Sequence, residues 1–278
     1  YGIEFSMFSF NESDLGIDVL HTPQEHADFI KEFGAYLAEL NLPTRMLLGD
    51  NSDATTFDFI LPALNNSETH KYIGAVSFHS WRGCDDVTLR KWADAAKEIN
   101  VPLLVGEGST DAAAHGYAEI FNESTFALYE INLYTRICTI CQPLSILQWQ
   151  LTSDYSLLWG DGIYGSKGPL RPTQRFWNIK QLASTPADAL AIPVSSSKKN
   201  VNCAAFGNMV RGEYAVHMVN NGADCEAVIS GIPAEVKKLK VYVTNTKDCM
   251  KETAVKVENG LVRVHLPAIS FITLLSGE

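Results

Sequence analysis

The first two thirds of this sequence switch repeatedly between short apolar runs and longer stretches of helical periodicity, and that alternation confines the chain to an α/β architecture built on a parallel sheet. Thr22-Pro23 followed by Glu25 marks a helix start, with Thr22 as N-cap and Pro23 at the first helical position; Phe29, Ile30, Phe33, Leu37 and Leu40 then recur at helical spacing until the segment ends near Asn41. Arg45 to Leu48 reads as a short strand, Thr56 to Leu64 as a helix and Tyr72 to Phe78 as a strand. Asp86 is read as the cap of a helix running to Ile99, followed by a strand over Val101 to Val105, a helical pattern over Ala118 to Cys141, a strand over Leu144 to Leu151 and a helix after Pro172. With the opening run Ile3 to Phe10, this makes five strands and five helices.

The texture changes at about Ala189. Short alternating runs follow at regular spacing, Val201 to Phe206, Glu213 to Val219, Cys225 to Ile229, Leu239 to Val243, Ala254 to Val257, Leu261 to Leu266 and Ile269 to Leu275. Turn signals such as Asn220-Asn221-Gly222 and Glu258-Asn259-Gly260 separate them, which predicts an antiparallel β-sandwich. The expected division is therefore a βα domain over residues 1–186 and a sandwich over residues 187–278.

Composition excludes several function classes. With 46% hydrophobic and 19% charged residues the chain can bury a core, so intrinsic disorder is excluded. A formal charge of −10 sets nucleic acid and acidic membranes against it, and no 18-residue apolar run offers a membrane span. The six cysteines are too scattered for a disulfide scaffold; Cys138-Thr-Ile-Cys141 is a lone pair without a second ligand set, and buried structural thiols are expected. The sequence opens at Tyr1 without Met, so a longer precursor is expected.

Five βα units fit either an open doubly wound sheet or part of a closed barrel. Phe10-Asn11-Glu12-Ser13-Asp14 stands where a dinucleotide fold needs a glycine-rich turn, and no phosphate-binding loop occurs elsewhere. Instead, each predicted strand ends in polar or aromatic residues: Asn11 and Glu12, Asp50 and Asn51, His79 and Trp81, Glu107, then Gln148 and Trp149. Such residues at strand C-termini line the bowl where a parallel barrel builds its site. Glu12 and Glu107 would face each other across its mouth, and paired carboxylates are the minimum equipment for glycosidic hydrolysis: one protonates the leaving oxygen while the other supports an oxocarbenium-like transition state.

The endings Phe10-Asn11-Glu12, Phe78-His79-Ser80-Trp81, Val105-Gly106-Glu107 and Leu147-Gln148-Trp149 resemble the fourth, sixth, seventh and eighth strands of the clan A glycoside hydrolases. The later part, with Asn220-Asn221-Gly222 and Leu266 to Ser270, resembles the domain attached to such barrels in family 30, with family 39 a weaker match. The resemblance implies strands four to eight of a (β/α)8 TIM barrel followed by an all-β antiparallel sandwich. It further implies retaining hydrolysis of a β-glycosidic bond in an oligo- or polysaccharide, with no metal or organic cofactor. Carried over by position, Glu12 is the general acid/base, Glu107 the nucleophile, Asn11 a donor to the sugar 2-hydroxyl, His79 an orienting or sugar-binding residue and Trp149 an apolar platform. Trp81 stands where many clan members have a Tyr that bonds the nucleophile, and Asp50 and Asn51 are further candidate substrate contacts. An extracellular or periplasmic location follows from the resemblance alone.

Other readings of the same residues stay open. Glu12 also fits a helix-entry acid, Glu107 a turn acid, His79 a structural histidine, Trp81 and Trp149 core aromatics, and Asp50 and Asn51 turn residues. Asp154, Tyr155 and Asp161 lie where selectivity could reside. Strands one to three have no counterpart, so the expected partners are a carbohydrate substrate and an N-terminal barrel half, from the same longer chain or a companion polypeptide. The rival functions are a non-catalytic carbohydrate-binding protein and a structural half-barrel completed by a partner chain.

Overall fold

The computed structural model describes residues 2–111 and 116–277. It falls into two compact units, residues 1–111 with 140–149, and residues 112–139 with 150–278, so the boundary expected after residue 186 lies inside the second unit.

The first unit is built on a parallel sheet of β1 (Met7–Phe8), β2 (Arg45–Asn51), β3 (Ile73–Phe78), β4 (Leu103–Gly108) and β5 (Ser145–Gln148), adjacent in chain order. A doubly wound sheet reverses its strand order at a switch point; an unbroken order is that of a barrel wall, and the sheet curls as half of one. Strands β2 and β3 are buried on both faces, as parallel strands covered by crossover helices must be. Helix α1 (Pro23–Glu39) starts as its sequence requires, Thr22 Oγ1 accepting the Glu25 N–H at 3.2 Å while Glu25 accepts the Thr22 N–H at 2.7 Å.

Three local expectations shift. The strand expected over Ile3 to Phe10 forms only at Met7–Phe8, where β1 pairs with β2 and, among the described residues, stands at the edge of the sheet; Ile3 and Phe5 are exposed. The helix expected over Thr56 to Leu64 is a 3-10 segment, Ala54–Ile60, leading into α2 (Leu61–Leu64), before the short α3 (Ser67–His70). In α4 (Asp86–Glu98) the N-cap is Asp85, whose Oδ1 accepts the N–H groups of both Val87 and Thr88. Trp92 on α4 is fully buried, and its indole donates to Ala54 O at 2.9 Å.

The second unit holds nearly all of α5 (Ser124–Cys141), the short strands β6 (Leu158–Trp159) and β7 (Arg171–Pro172), α6 (Gln174–Leu182) and the β-domain. That domain has β8 (Leu190–Ile192), β9 (Val201–Asn208), β10 (Glu213–Asn220), β11 (Cys225–Ser230), β12 (Lys238–Thr244), β13 (Lys251–Lys256), β14 (Leu261–Leu266) and β15 (Ser270–Leu275). One antiparallel sheet has the order β13-β12-β15-β10-β9-β8 and the other pairs β11 with β14. Asn220-Asn221-Gly222 carries the chain from one sheet to the other, the Asn220 amide donating to the carbonyls of Ala223, Leu266 and Pro267. Asn259 and Gly260 both have positive φ, as a type I′ turn demands.

Helix α6 departs most from its pattern. Phe176, Trp177, Ile179 and Leu182 are only partly buried, whereas Arg175, Asn178 and Gln181 are buried at 0–1% exposure. Arg175 makes a bidentate pair with Glu130, Nε to Oε2 at 2.9 Å and Nη2 to Oε1 at 2.7 Å, and Nη1 donates to the carbonyls of Tyr155 and Ser156. Phe121 and Phe126 each lie 5.0 Å from the guanidinium carbon. Gln181 donates to Phe271 O and Thr273 Oγ1 and accepts from Thr244 Oγ1 at 2.7 Å.

Two buried histidines set an acid limit. His217 bonds Thr273 Oγ1 and Thr185 Oγ1, both at 2.8 Å, and burial pushes its pKa down to about 3. In the first unit, His26 accepts the Gly49 N–H at 3.1 Å, and burial pushes its pKa down to about 4. Both are neutral when folded, whereas in the unfolded chain each takes up a proton near the ordinary value of 6.5. Their stabilisation is therefore complete above pH 6.5 and declines as pH falls toward 4, by about 1.4 kcal/mol per pH unit per group. Denaturant unfolding across pH 7.5 to 4.5 is expected to show this decline, with a shallower slope in His217→Gln; equal slopes would remove His217 from the account.

Among the described residues no helix is long and apolar enough to cross a membrane. Cys138 and Cys141 are buried, and burial pushes the Cys138 thiol up to about 12, which leaves it inert.

Candidate active site

The first unit gathers its polar strand ends around one imidazole. His79, directly after β3, is fully buried; its Nδ1 lies 2.9 Å from Glu12 Oε1 and 3.4 Å from Glu107 Oε2, and its Nε2 lies 3.2 Å from Asp50 Oδ1. Facing three carboxylates, it has its pKa raised to about 9 despite burial, so it is a cation at neutral pH. The side chains of Glu12 and Glu107 are 13% and 11% exposed, open enough to meet a ligand.

Local backbone irregularities aim these groups. In the β2–β3 pairing Gly49 faces Ser77 and Asn51 faces Phe78, which leaves Asp50 as an extra residue in a bulge. Gly49 and Asp50 both have positive φ, and a Cβ on Gly49 would lie 2.4 Å from Ser77 O, so only glycine fits there. The bulge turns Asp50 inward, where Oδ1 meets Ser77 Oγ at 3.0 Å as well as His79, and Oδ2 accepts from Ser9 Oγ at 2.6 Å. Gly106 of β4 leaves the room they need, since a Cβ there would lie 2.3 Å from Asp50 Oδ1. The β4–β5 register shifts between Val105 and Gly108, across Glu107.

Glu12 occupies a turn with φ of 49°, its N–H donating to Asp50 O at 3.1 Å and its carbonyl accepting from Leu15 and Gly16. Asp14 ties this turn to the end of β2 through Ser52, Oδ1 to the N–H at 2.9 Å and Oδ2 to Oγ at 2.8 Å. The sequence reading missed this clamp, whose one signal is an Asp two residues beyond Glu12.

The remaining candidates divide. Trp81 donates its indole N–H to Glu107 Oε2 at 3.2 Å. Trp149 lies beside β4, its N–H bonded to Gly108 O at 2.8 Å, and is 37% exposed; Asn11 is also exposed. Asn51 is fully buried, its side-chain amide donating to Thr56 O and Oγ1, and its backbone carbonyl accepts the backbone N–H of His79. Asp154, Tyr155 and Asp161 belong to the second unit.

Burial raises the Glu107 pKa, the His79 cation pulls it back, Glu12 adds to the rise and the Trp81 donor opposes it. One ligand atom each from Glu12, His79 and Glu107 lies within 4.8 Å of the others, a spacing that would also suit a metal ion. Both ring nitrogens of His79 point at carboxylates. The arrangement brings two carboxylates close enough together to act on one bond.

No family model matches the sequence, and no curated protein matches it significantly. Solved structures do. A GH30 endoxylanase from Clostridium papyrosolvens C71 superposes with a TM-score of 0.80 at 15% identity, over 100% of this chain and 67% of that one. The family 30 subfamily 8 xylanase Xyn30A from Clostridium acetobutylicum gives 0.78 at 16%, over 96% and 65%, and a family 51 α-L-arabinofuranosidase from Bifidobacterium longum gives 0.67 at 14%, over 99% and 67%. The chain thus spans about two thirds of the length of these proteins. Unbroken strand order, polar strand ends and appended β-domain together give this chain the fold of the clan A glycoside hydrolases, in a family 30-like form.

Proposed function

We propose that this chain carries the catalytic carboxylates of a retaining glycoside hydrolase that cleaves a β-glycosidic bond in an oligo- or polysaccharide. One observation carries the reading: Glu12 and Glu107 offer oxygens within 4.8 Å of each other around a shared imidazole. Retaining enzymes hold their carboxyl groups about 5 to 5.5 Å apart, whereas inverting ones need about 6.5 to 9.5 Å to admit a water between carboxylate and sugar. The xylanases among the structural neighbours make a β-linked xylan the first substrate to try.

In the first step, Glu107 attacks the anomeric carbon as Glu12 delivers its proton to the departing oxygen, which leaves a glycosyl ester on Glu107 and a charged Glu12. In the second, Glu12 takes a proton from water, whose oxygen displaces Glu107 and restores both groups. Trp81 donates to the Glu107 carboxylate, and the His79 imidazole lies 3.4 Å from the same oxygen as a charge contact. Trp149 would form the apolar platform for the reacting ring, and Asn11 would bond its 2-hydroxyl.

Five strands are short of the eight a closed barrel requires. We propose that an N-terminal barrel half, from the same longer chain or a companion polypeptide, completes the wall. Proton NMR of an aryl β-xyloside digest by the completed enzyme is expected to show the β-anomer of the sugar first. The α-anomer as first product would sink the retaining reading, and sugar binding without turnover would favour a non-catalytic lectin-like role.

A further inference from the structure

We infer that His79 is a permanent cation shared by the two glutamates in turn, and that Asp50 is the positioning residue that keeps it charged through both steps. This deepens the retaining reading above and rests on it.

The geometry has an asymmetry that a sugar-binding histidine would not need. Nδ1 carries a single N–H and faces two acceptors, Glu12 Oε1 at 2.9 Å and Glu107 Oε2 at 3.4 Å. Among the described residues Nε2 has Asp50 as its acidic partner, which is itself fixed by Ser9 and Ser77. In a double displacement the negative charge alternates: it resides on Glu107 before attack and on Glu12 once the ester has formed. An N–H set between the two can bond to whichever is charged. The cluster of Asp50, His79 and one ionised glutamate then keeps a net charge of −1 in both states, so no buried charge is created or lost as the proton leaves Glu12. His79 neither gives nor takes a proton in this scheme.

The titratable groups facing His79 are Glu12 from the turn after β1, Asp50 from β2 and Glu107 from β4. His26 of α1 influences Asp50 from behind but is neutral, engaged with the Gly49 N–H. Of the three acids, Asp50 alone sits on the Nε2 side and takes no part in bond making, so its charge is constant through the cycle. Its carboxylate is buried with both oxygens occupied, which suits an anchor better than a sugar ligand.

The test uses 15N-edited NMR of the histidine side chains across pH 5 to 10, with His79→Gln assigning the resonances. Glu12→Gln and Glu107→Gln mimic the neutral state of each glutamate in turn. Wild type and both Gln variants are expected to keep His79 protonated on both nitrogens at pH 7, and Asp50→Asn to move its deprotonation down by more than one pH unit. In the completed enzyme, Asp50→Asn is expected to lower kcat at least tenfold with KM changed less than threefold. That loss should be deeper at pH 8 than at pH 5.5, where the variant imidazole is still charged; a merely structural defect would show no such pH dependence.

A neutral His79 at pH 7 in wild type or in either Gln variant overturns the proposal, and these measurements remain readable if Asp50→Asn does not fold. An unchanged titration in Asp50→Asn, or a loss confined to KM, overturns the role of Asp50. If the wild-type enzyme hydrolyses no β-glycoside, the retaining reading falls separately, and the NMR titration still decides whether Asp50 holds the charge on His79.

Discussion

Replacing Glu107 by alanine is expected to reduce turnover by on the order of 10⁵-fold, the scale on which removal of a covalent nucleophile is felt. The scaffold should survive, because among the described residues the Glu107 side chain meets its polar partners, Trp81 and His79, within the cluster at the strand ends. Azide supplied in solution can occupy the vacated space and attack the anomeric carbon once, so the rescued product should be the α-glycosyl azide. Glu12→Ala should behave differently. Its loss should be about 10²- to 10⁴-fold for substrates whose leaving group needs a proton, and far smaller for a dinitrophenyl glycoside, which departs as a stable anion. Azide should then resolve the glycosyl ester to the β-glycosyl azide. Exchange of the two azide products would reverse the roles, and full activity in either variant would end the pairing.

The second large effect is on stability. Arg175→Met removes the guanidinium that pairs with Glu130, whose side chain is 1% exposed, and takes this donor from the carbonyls of Tyr155 and Ser156. Breaking one side of such a pair costs about 3 to 5 kcal/mol, which for a chain of this size lowers Tm by on the order of 10 °C. A Glu130→Gln/Arg175→Met double variant should recover part of that loss, since it removes the buried charge whose guanidinium partner is gone. Calorimetry of wild type, single and double variants decides the matter: a double variant no better than the single would mean that packing around the guanidinium, and not the charge pair, stabilises this region.

Much of the fold was legible wherever local chemistry and periodicity agree. Thr22, Pro23 and Glu25 specify the start of α1 as a capping box before any tertiary contact is made. The apolar runs of β2 and β3 announce strands covered on both faces. The order of polar strand ends pointed to Glu12, His79, Trp81 and Glu107, and the structure sets both glutamates around the His79 imidazole with Trp81 bonded to Glu107. Periodicity failed at α6, where Arg175, Asn178 and Gln181 form the buried face through bonds to distant carbonyls and hydroxyls; a reading based on apolar spacing selects Phe176, Trp177, Ile179 and Leu182 instead. It also could not separate Asp50 from Asn51, because a bulge breaks the two-residue alternation between them and the resulting inward turn depends on the register with β3.

That bulge bears on how such a protein could be redesigned. Gly49 and Asp50 interrupt β2 with two consecutive residues of positive φ. A stabilisation campaign that scored each position by strand propensity would replace the glycine first and the aspartate soon after, and the sheet would gain regularity. Asp50 would then leave the imidazole, and the thermostable product would be a well-folded barrel wall without its charge network. Idealising this chain therefore requires a mask over two residues that a secondary-structure score marks as its worst.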